Sequence, residues 1–355
     1  MNDKRVADEI ITKFLFNTCR LGPRLSEPVV QAAVSCASIM SARILRNNDA
    51  ELIPLITGNV AEFYIEPMLP HVGDVDIMFH SNNMLAIPRG HPPPTQLPAE
   101  FHNYVKVCEI IDTSHLPGYV HLVLRYLLTK CTDSGRYNAV EYEEYGMFFL
   151  MRNESSAHSH GPARLQVIRH HLSFDLVHSV RCLSWPSQVS YWPLRHRNYG
   201  WPDSATIDHI VSNGCDVVHV AHRQCRQDEM MIKFQWRLSL SRAEIVLLNS
   251  WTPVQQIVYH LLRVITKTEK FTETGNNSVL STLCNYHIKT LMLWACELKP
   301  QTWWTDDSSF IRICVELLHT LAGWLNEARC PHYFIRNCNL VDESYVLETT
   351  QLDYC

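Results

Sequence analysis

The sequence predicts an α+β protein: a mixed-sheet lobe with N-terminal helices, packed on an all-helical C-terminal lobe. Three observations carry this. Apolar residues recur at helical spacing near both ends of the 355-residue chain. The period becomes strand-like between Leu52 and Phe79, and again over about 138–179. From Ser241 onward only helical periods remain.

In order, residues 5–18 read as an amphipathic helix, with Val6, Ile10, Ile11, Phe14 and Leu15 on one face. Gly22-Pro23 ends it, and a longer helix runs from Glu27 through Val29, Val34, Ile39 and Leu45. The first strand region follows, punctuated by Gly58 and Gly73. Residues 88–98 form a stiff, proline-rich loop. The second strand region is interrupted by the polar loop 153–162. Helices are expected over 241–249, 253–266, 278–298 and 309–327. The boundary falls near 180–240, giving a 1–180 strand-bearing lobe and a mostly helical 181–355 lobe.

Composition narrows the function. The 12 glycines are scattered, the closest pair being Gly135 and Gly146. A dinucleotide fingerprint or a P-loop needs glycines two to five positions apart, so both are excluded. Any nucleotide here is held by another construction. No run of 18 apolar residues exists to span a membrane, and charges interrupt the N-terminus before a signal-peptide core forms. Thirteen Cys without paired spacing, several inside apolar runs, fit a reduced, cytoplasmic protein. A net charge of -5 argues against bulk electrostatic binding of nucleic acid but leaves room for one local basic groove.

The acidic pattern is the informative one. Gly58-Asn59 precedes Asp74-x-Asp76, which runs into Ile77-Met78-Phe79. In a strand, side chains i and i+2 share a face roughly 6–7 Å apart. Two carboxylates so placed suit Mg²⁺, and two ions about 4 Å apart activate a hydroxyl and stabilise a leaving pyrophosphate. A third carboxylate is needed from another strand, and Asp175, inside Leu172-Ser173-Phe174-Asp175-Leu176-Val177, is the candidate. An Asp-x-Asp pair by itself equally describes a solvated edge or turn.

Beyond the acids the chain resembles cyclic GMP–AMP synthase and its animal relatives, the cGAS-like receptors. Ser173-Phe174-Asp175-Leu176 with Ser184-Trp185-Pro186 resembles the family's third-acid strand and the turn behind it. Trp236-Arg237-Leu238-Ser239-Leu240-Ser241 with Glu244 resembles its Trp-Arg-Leu-Ser motif. Asn285-Tyr286-His287-Ile288-Lys289-Thr290 is similar to its Tyr-His-Val-Lys helix start, and His332-Tyr333-Phe334-Ile335 with Asn339-Leu340 to its terminal block. The blocks keep the family's order across roughly residues 50–345.

The resemblance implies a bilobal nucleotidyltransferase fold with its site in the cleft between lobes. Asp74, Asp76 and Asp175 would ligate two Mg²⁺ or Mn²⁺ ions. Gly58 and Asn59 would grip donor phosphates at a helix N-terminus. Arg237, Ser239, Ser241 and Asn285 would contact nucleotide, and Tyr286 would stack on a base. The family's phosphate-binding Lys has about Tyr259 at its place. Cyclic GMP–AMP synthase carries a zinc ribbon in the interval that is Glu244–Gln256 here, where there is no Cys or His. No structural zinc is expected, and a DNA-sensing role does not carry over.

The implied activity is condensation of two NTPs, such as ATP and GTP, into a cyclic dinucleotide for a downstream receptor in innate immunity. The implied trigger is double-stranded RNA rather than DNA, with a ligand-induced dimer and no membrane partner. Two alternatives share the fold: a non-catalytic interaction protein of the male-abnormal developmental type, and a linear oligonucleotide synthase.

Other signals read more blandly. Cys215, His219, His222 and Cys225 have zinc-like spacing, but 216–221 reads as a strand that throws the two histidines to opposite faces. Arg195, Arg197, Arg223, Arg226, Lys267 and Lys270 form either a nucleic-acid face or ordinary solvated surface. Trp185, Trp192, Trp201 and Trp303-Trp304 read as packing.

Overall fold

The computed structural model describes residues 31, 35, 51–58, 61, 75–113, 115–142, 165–169, 172–222, 225, 228–268, 283–305 and 310–341. Except for Gln31 and Ser35, which are helical, the expected N-terminal helices, with Lys4, Arg5, Lys13, Arg20, Arg24, Arg43 and Arg46, lie outside these residues. So do Asn59, Asp74, the 153–162 loop, Arg223, Arg226 and Lys270.

Among the described residues nine strands form the sheet: β1 (Leu52–Thr57), β2 (Val75–Pro88), β3 (Tyr104–Asp112), β4 (Tyr119–Lys130), β5 (Tyr137–Glu141), β6 (Leu165–Arg169), β7 (Leu172–Cys182), β8 (Cys215–Val218) and β9 (Gln235–Ser239). Their order is β1-β2-β3-β4-β9-β8-β7-β6, with β5 on β4. A further β2–β7 pairing closes the strands from β2 round to β7 into a ring.

β2 is long because it serves two neighbourhoods. Residues 76–81 lie between antiparallel β1 and parallel β7, and residues 84–88 take β3 in place of β1. Its second half is apolar on both faces, as a doubly covered strand must be. Met84 and Ala86 enter the main core, whereas Leu85 and Ile87 join Phe101, Val105, Val107, Leu128 and Tyr137 on the other side. The proline-rich loop covers that second cluster, with Leu97 packed on it and Thr95 accepting from the Tyr137 amide at 2.9 Å.

The helices are α1 (Tyr191–Leu194), α2 (Ser204–Asn213), α3 (Glu229–Phe234), α4 (Ser241–Asn249), α5 (Pro253–Thr268), α6 (Asn285–Leu298), α7 (Gln301–Thr305) and α8 (Phe310–Asn326). α4, α5 and α8 fall within two residues of their expected spans, as strong amphipathic periodicity permits. α6 begins at Asn285 rather than 278, because Cys284 is extended and caps it. Its buried residues run from His287 to Glu297 on every side, marking a central helix. One core joins the lobes: Trp236 and Leu238 of β9, Leu247 of α4, Leu262 of α5, Ile288 of α6 and Tyr333 share a single cluster.

Residues 99–137, which the periodicity leaves unassigned, hold β3 and β4; β4 is apolar on both faces and so lacks clean alternation. Two expectations are corrected. The strand expected over 216–221 stops at Val218, and the region about 180–240 holds α2, β8, α3 and β9. Arg195 and Arg197 are not a free basic face. Both turn inward to Glu297, whose side chain is 3% exposed, at 2.6 and 3.5 Å. Trp192, Trp236 and Trp304 are buried, as packing residues should be. Among the described residues, no helix is long and apolar enough to cross a membrane, and the ten cysteines are free.

Candidate functional site

The acidic pattern resolves into a pair on neighbouring strands. In the parallel β2–β7 register Asp76 sits directly opposite Asp175. Adjacent strands lie about 4.8 Å apart and register partners share a face, so the two carboxylates project side by side. Both residues are half-buried. Thr57 of β1 and Gln166 of β6 flank them in the same row. Asp74 lies outside the described residues, so among those described no group of three ligands forms.

Gly58 completes this corner. It follows β1 directly and has φ of +63°. A Cβ built there would stand 1.9 Å from Asp76 Oδ2. The carboxylate therefore rests on the bare Cα of the turn, a close approach that only glycine permits. Hard oxygen donors on adjacent strands suit a divalent cation such as Mg²⁺.

A second group of residues comes from β9, α4, α6 and the loop after α8. Arg237 is exposed on β9, and the Ser239 and Ser241 hydroxyls meet at 3.1 Å. Asn285 is exposed at the first turn of α6. The sheet keeps these apart from the acid pair. Val218, register partner of Arg237, pairs on its other side with Ser179, four residues along β7 from Asp175 and so roughly 13 Å away.

Tyr286 is anchored at its hydroxyl. That group donates to Glu244 Oε1 at 3.0 Å, and Lys289 Nζ donates to Glu244 Oε2 at 2.9 Å. His332 Nδ1 accepts the Phe334 and Ile335 amides at 3.1 and 3.2 Å. Its proton therefore sits on Nε2, which donates to the Tyr286 oxygen at 3.1 Å. Burial holds the His332 pKa down to about 4, keeping the ring neutral. Burial, then Glu244, pushes the Tyr286 phenol well above its ordinary value, keeping it a donor. Burial by itself would raise Glu244, but Lys289 and the Tyr286 hydroxyl bond act together against it, and the carboxyl titrates below its usual range. The donor chain runs from His332 through Tyr286 to Glu244. Glu244, Lys289 and His332 fall inside the sequence motifs, yet nothing in the sequence shows that they meet, since Glu244 and Lys289 stand 45 positions apart.

Tyr259, at the place of the family's phosphate-binding Lys, is 1% exposed and packs edge-on against Trp251 at 5.3 Å. It belongs to the helical core. Of the zinc-like quartet, Cys215 is buried in β8 and His219 Nε2 lies 2.8 Å from the Lys233 carbonyl.

A sheet with neighbouring acids, followed by a helical bundle, defines a nucleotidyltransferase fold. Residues 101–250 match the Mab-21 protein nucleotidyltransferase domain, and residues 256–355 match the Mab-21 protein HhH/H2TH-like domain. The chain belongs to the Mab-21 family of nucleotidyltransferase-fold proteins. It is similar to a protein mab-21-like of Aedes aegypti, 23% identical over 49% of this chain and 45% of that one. A protein mab-21-like 3 of Danio rerio is 28% identical over 51% of this chain and 42% of its own length. A protein mab-21-like of Drosophila melanogaster is 23% identical over 47% and 44%. The matched region thus spans less than half the length of these curated relatives.

Proposed function

We propose that this chain is a pattern-recognition nucleotidyltransferase of the cGAS-like receptor kind, without a zinc ribbon. It condenses two NTPs into a cyclic dinucleotide when a long charged ligand, double-stranded RNA by preference, binds. In each step a ribose hydroxyl oxygen attacks the α-phosphorus of an NTP. The bond to the β-phosphate breaks, pyrophosphate leaves, and the hydroxyl proton goes to solvent or a neighbouring base.

The observation that carries this reading is the register of Asp76 with Asp175, with the Asp76 carboxylate seated on Gly58. Asp76, Asp175 and Asp74 would hold divalent cations. When bound, such ions neutralise triphosphate charge and make the hydroxyl more acidic. Gly58 and Asn59 hold donor phosphates. Arg237, Ser239, Ser241 and Asn285 orient the nucleotide, and the Tyr286 ring, fixed through its hydroxyl, presents an edge or face to a base.

A second reading, a non-catalytic interaction protein, has its own support. Glu244, Tyr286, Lys289 and His332 already partner one another, as in a domain retained for its shape. Incubating the chain with the four NTPs, Mg²⁺ or Mn²⁺ and a panel of duplex RNAs and DNAs separates the two. The enzyme reading expects a dinucleotide product that disappears in Asp76→Asn and Asp175→Asn. Product absent with every ligand, together with no metal-dependent stabilisation by NTP, sinks it. Longer linear products would instead mark an oligonucleotide synthase.

A further inference from the structure

The helical lobe contains a concavity that the acid pair does not touch. It has a volume of about 380 Å³ and is lined by the 331–339 loop, Tyr191, Trp294, Arg195, Arg329 and Arg336. No residue of β1, β2 or β7 lines it, and no aspartate or glutamate does.

Its walls are fixed before any ligand arrives. The Arg195 guanidinium lies between the rings of Trp294 and Tyr333, at 4.4 and 4.8 Å from their centroids. It donates to the Tyr333 carbonyl at 2.9 Å and to Glu297 at 2.6 Å, leaving its buried Nε without a partner. Trp294 Nε1 donates to the Pro331 carbonyl at 2.9 Å, pinning the loop to α6. At the rim, Arg336 is exposed with its guanidinium 4.9 Å from the Tyr191 ring centroid, and Arg329 is exposed beside it. Neither rim arginine has an ion-pair partner among the described residues.

The charges do not balance. Glu297 faces two arginines, Arg195 and Arg197, and so neutralises only one of them. With Arg329 and Arg336 the described residues around the cavity carry three positive charges in excess, in a chain whose net charge is -5. His332, neutral, contributes none. Guanidinium forks match phosphate oxygens in pairs, and the volume falls in the small-ligand range of roughly 300–1,000 Å³.

We infer that this cavity is a polyphosphate-binding site, held at its rim by Arg329 and Arg336 and distinct from the Asp76–Asp175 corner. The ligand is a compound carrying three or four phosphate charges, either inorganic or the tail of a nucleotide. Binding there needs neither divalent metal nor turnover, so the inference does not rest on the activity proposed above.

The test is calorimetric titration of the full chain with tripolyphosphate in EDTA, which silences any metal-dependent site. One binding event is expected, weakened at least about ten-fold in the Arg329→Ala/Arg336→Ala variant, the loss of charged hydrogen bonds. Both side chains are exposed, so the unfolding midpoint of that variant should match the wild type. Citrate, of similar charge, should bind far more weakly. An ATP arm assigns the source: affinity equal to tripolyphosphate means the phosphates alone are read, and tighter binding means a nucleotide. The inference is overturned if the wild type does not bind in EDTA, if the double variant binds unchanged, or if citrate binds as well. It is equally overturned if binding appears only with Mg²⁺ and disappears in Asp76→Asn.

Discussion

Replacing Gly58 by alanine probes the acid corner at its tightest point. The added Cβ would lie 1.9 Å from Asp76 Oδ2, where ordinary contact begins at 3.4 Å. The carboxylate must therefore retreat by the difference, about 1.5 Å, or the turn must open. Separately, φ of +63° costs a residue bearing a Cβ about 1–2 kcal/mol. A catalytic group tolerates displacement of only ~0.5 Å, and a 1 Å error costs about 100-fold in rate. We expect Gly58→Ala to lose about 100-fold in product formation, with Mn²⁺ affinity falling alongside it, while global stability drops by only ~1–2 kcal/mol. Mn²⁺ binding by electron paramagnetic resonance and urea denaturation read the two effects separately. Gly90 is the control: its φ is +76° but nothing lies within 4 Å of an added Cβ. Gly90→Ala should show the strain and keep full metal affinity. If the folded Gly58→Ala protein binds Mn²⁺ as the wild type does, or the two variants behave alike, the reasoning about this corner is wrong.

Other expectations concern the helical lobe and the buried titrating groups. Lys289→Met strands Glu244 as an unpaired buried charge and should cost about 3–5 kcal/mol in denaturant unfolding. Adding Glu244→Gln should recover a large part of that, and no recovery would argue against the pairing. His80 and His260 are held by burial at about 4 and about 3, below the ordinary 6.5. As pH falls below 6.5 the unfolded chain takes up these protons first, so stability present at pH 7 declines from pH 6.5 to about 4 for His80 and to about 3 for His260. A urea midpoint that stays flat from pH 7 to 4.5 would contradict this. Trp192, wholly buried among Trp185, Tyr333 and Phe334, should cost ~3–5 kcal/mol on truncation to Ala, read by thermal unfolding.

Helices α5 and α8 of the second lobe were legible because each shows the core one stripe. Ile257 and Leu261 on α5, and Leu317 and Leu321 on α8, recur at i and i+4, and no long-range fact is needed to see it. β4 was not legible: Leu122, Leu124, Leu127 and Leu128 carry apolar side chains on both faces, so period two vanishes. At the site, the types and spacing of Asp74, Asp76 and Asp175 were visible, but the adjacency of Asp76 and Asp175 is a property of register, 99 residues apart in the chain. The reason for Gly58 was half visible. A turn glycine could be read from its place after an apolar run, whereas the carboxylate lying over its Cα could not. Likewise, Arg195 and Arg197 look like surface charge until Glu297, about 100 positions later, is seen between them.

The placing of the acid pair also fixes where this protein is vulnerable. Locally the strands run β1-β2-β7-β6, with Asp76 and Asp175 on the inner two and, among the described residues, no further strand beyond β1 or β6. Fraying of β1 or β6 thus reaches a carboxylate after losing a single ladder. Damage to β8 meets β7 above the level of Asp175, where Ser179 also bonds the Phe79 carbonyl at 3.1 Å. Amide exchange should rank accordingly, fastest in β1 and β6 and slower in β7 and β8. Sequence drift on the outer strands would then erode the corner while leaving the shared core, and hence the overall shape, intact.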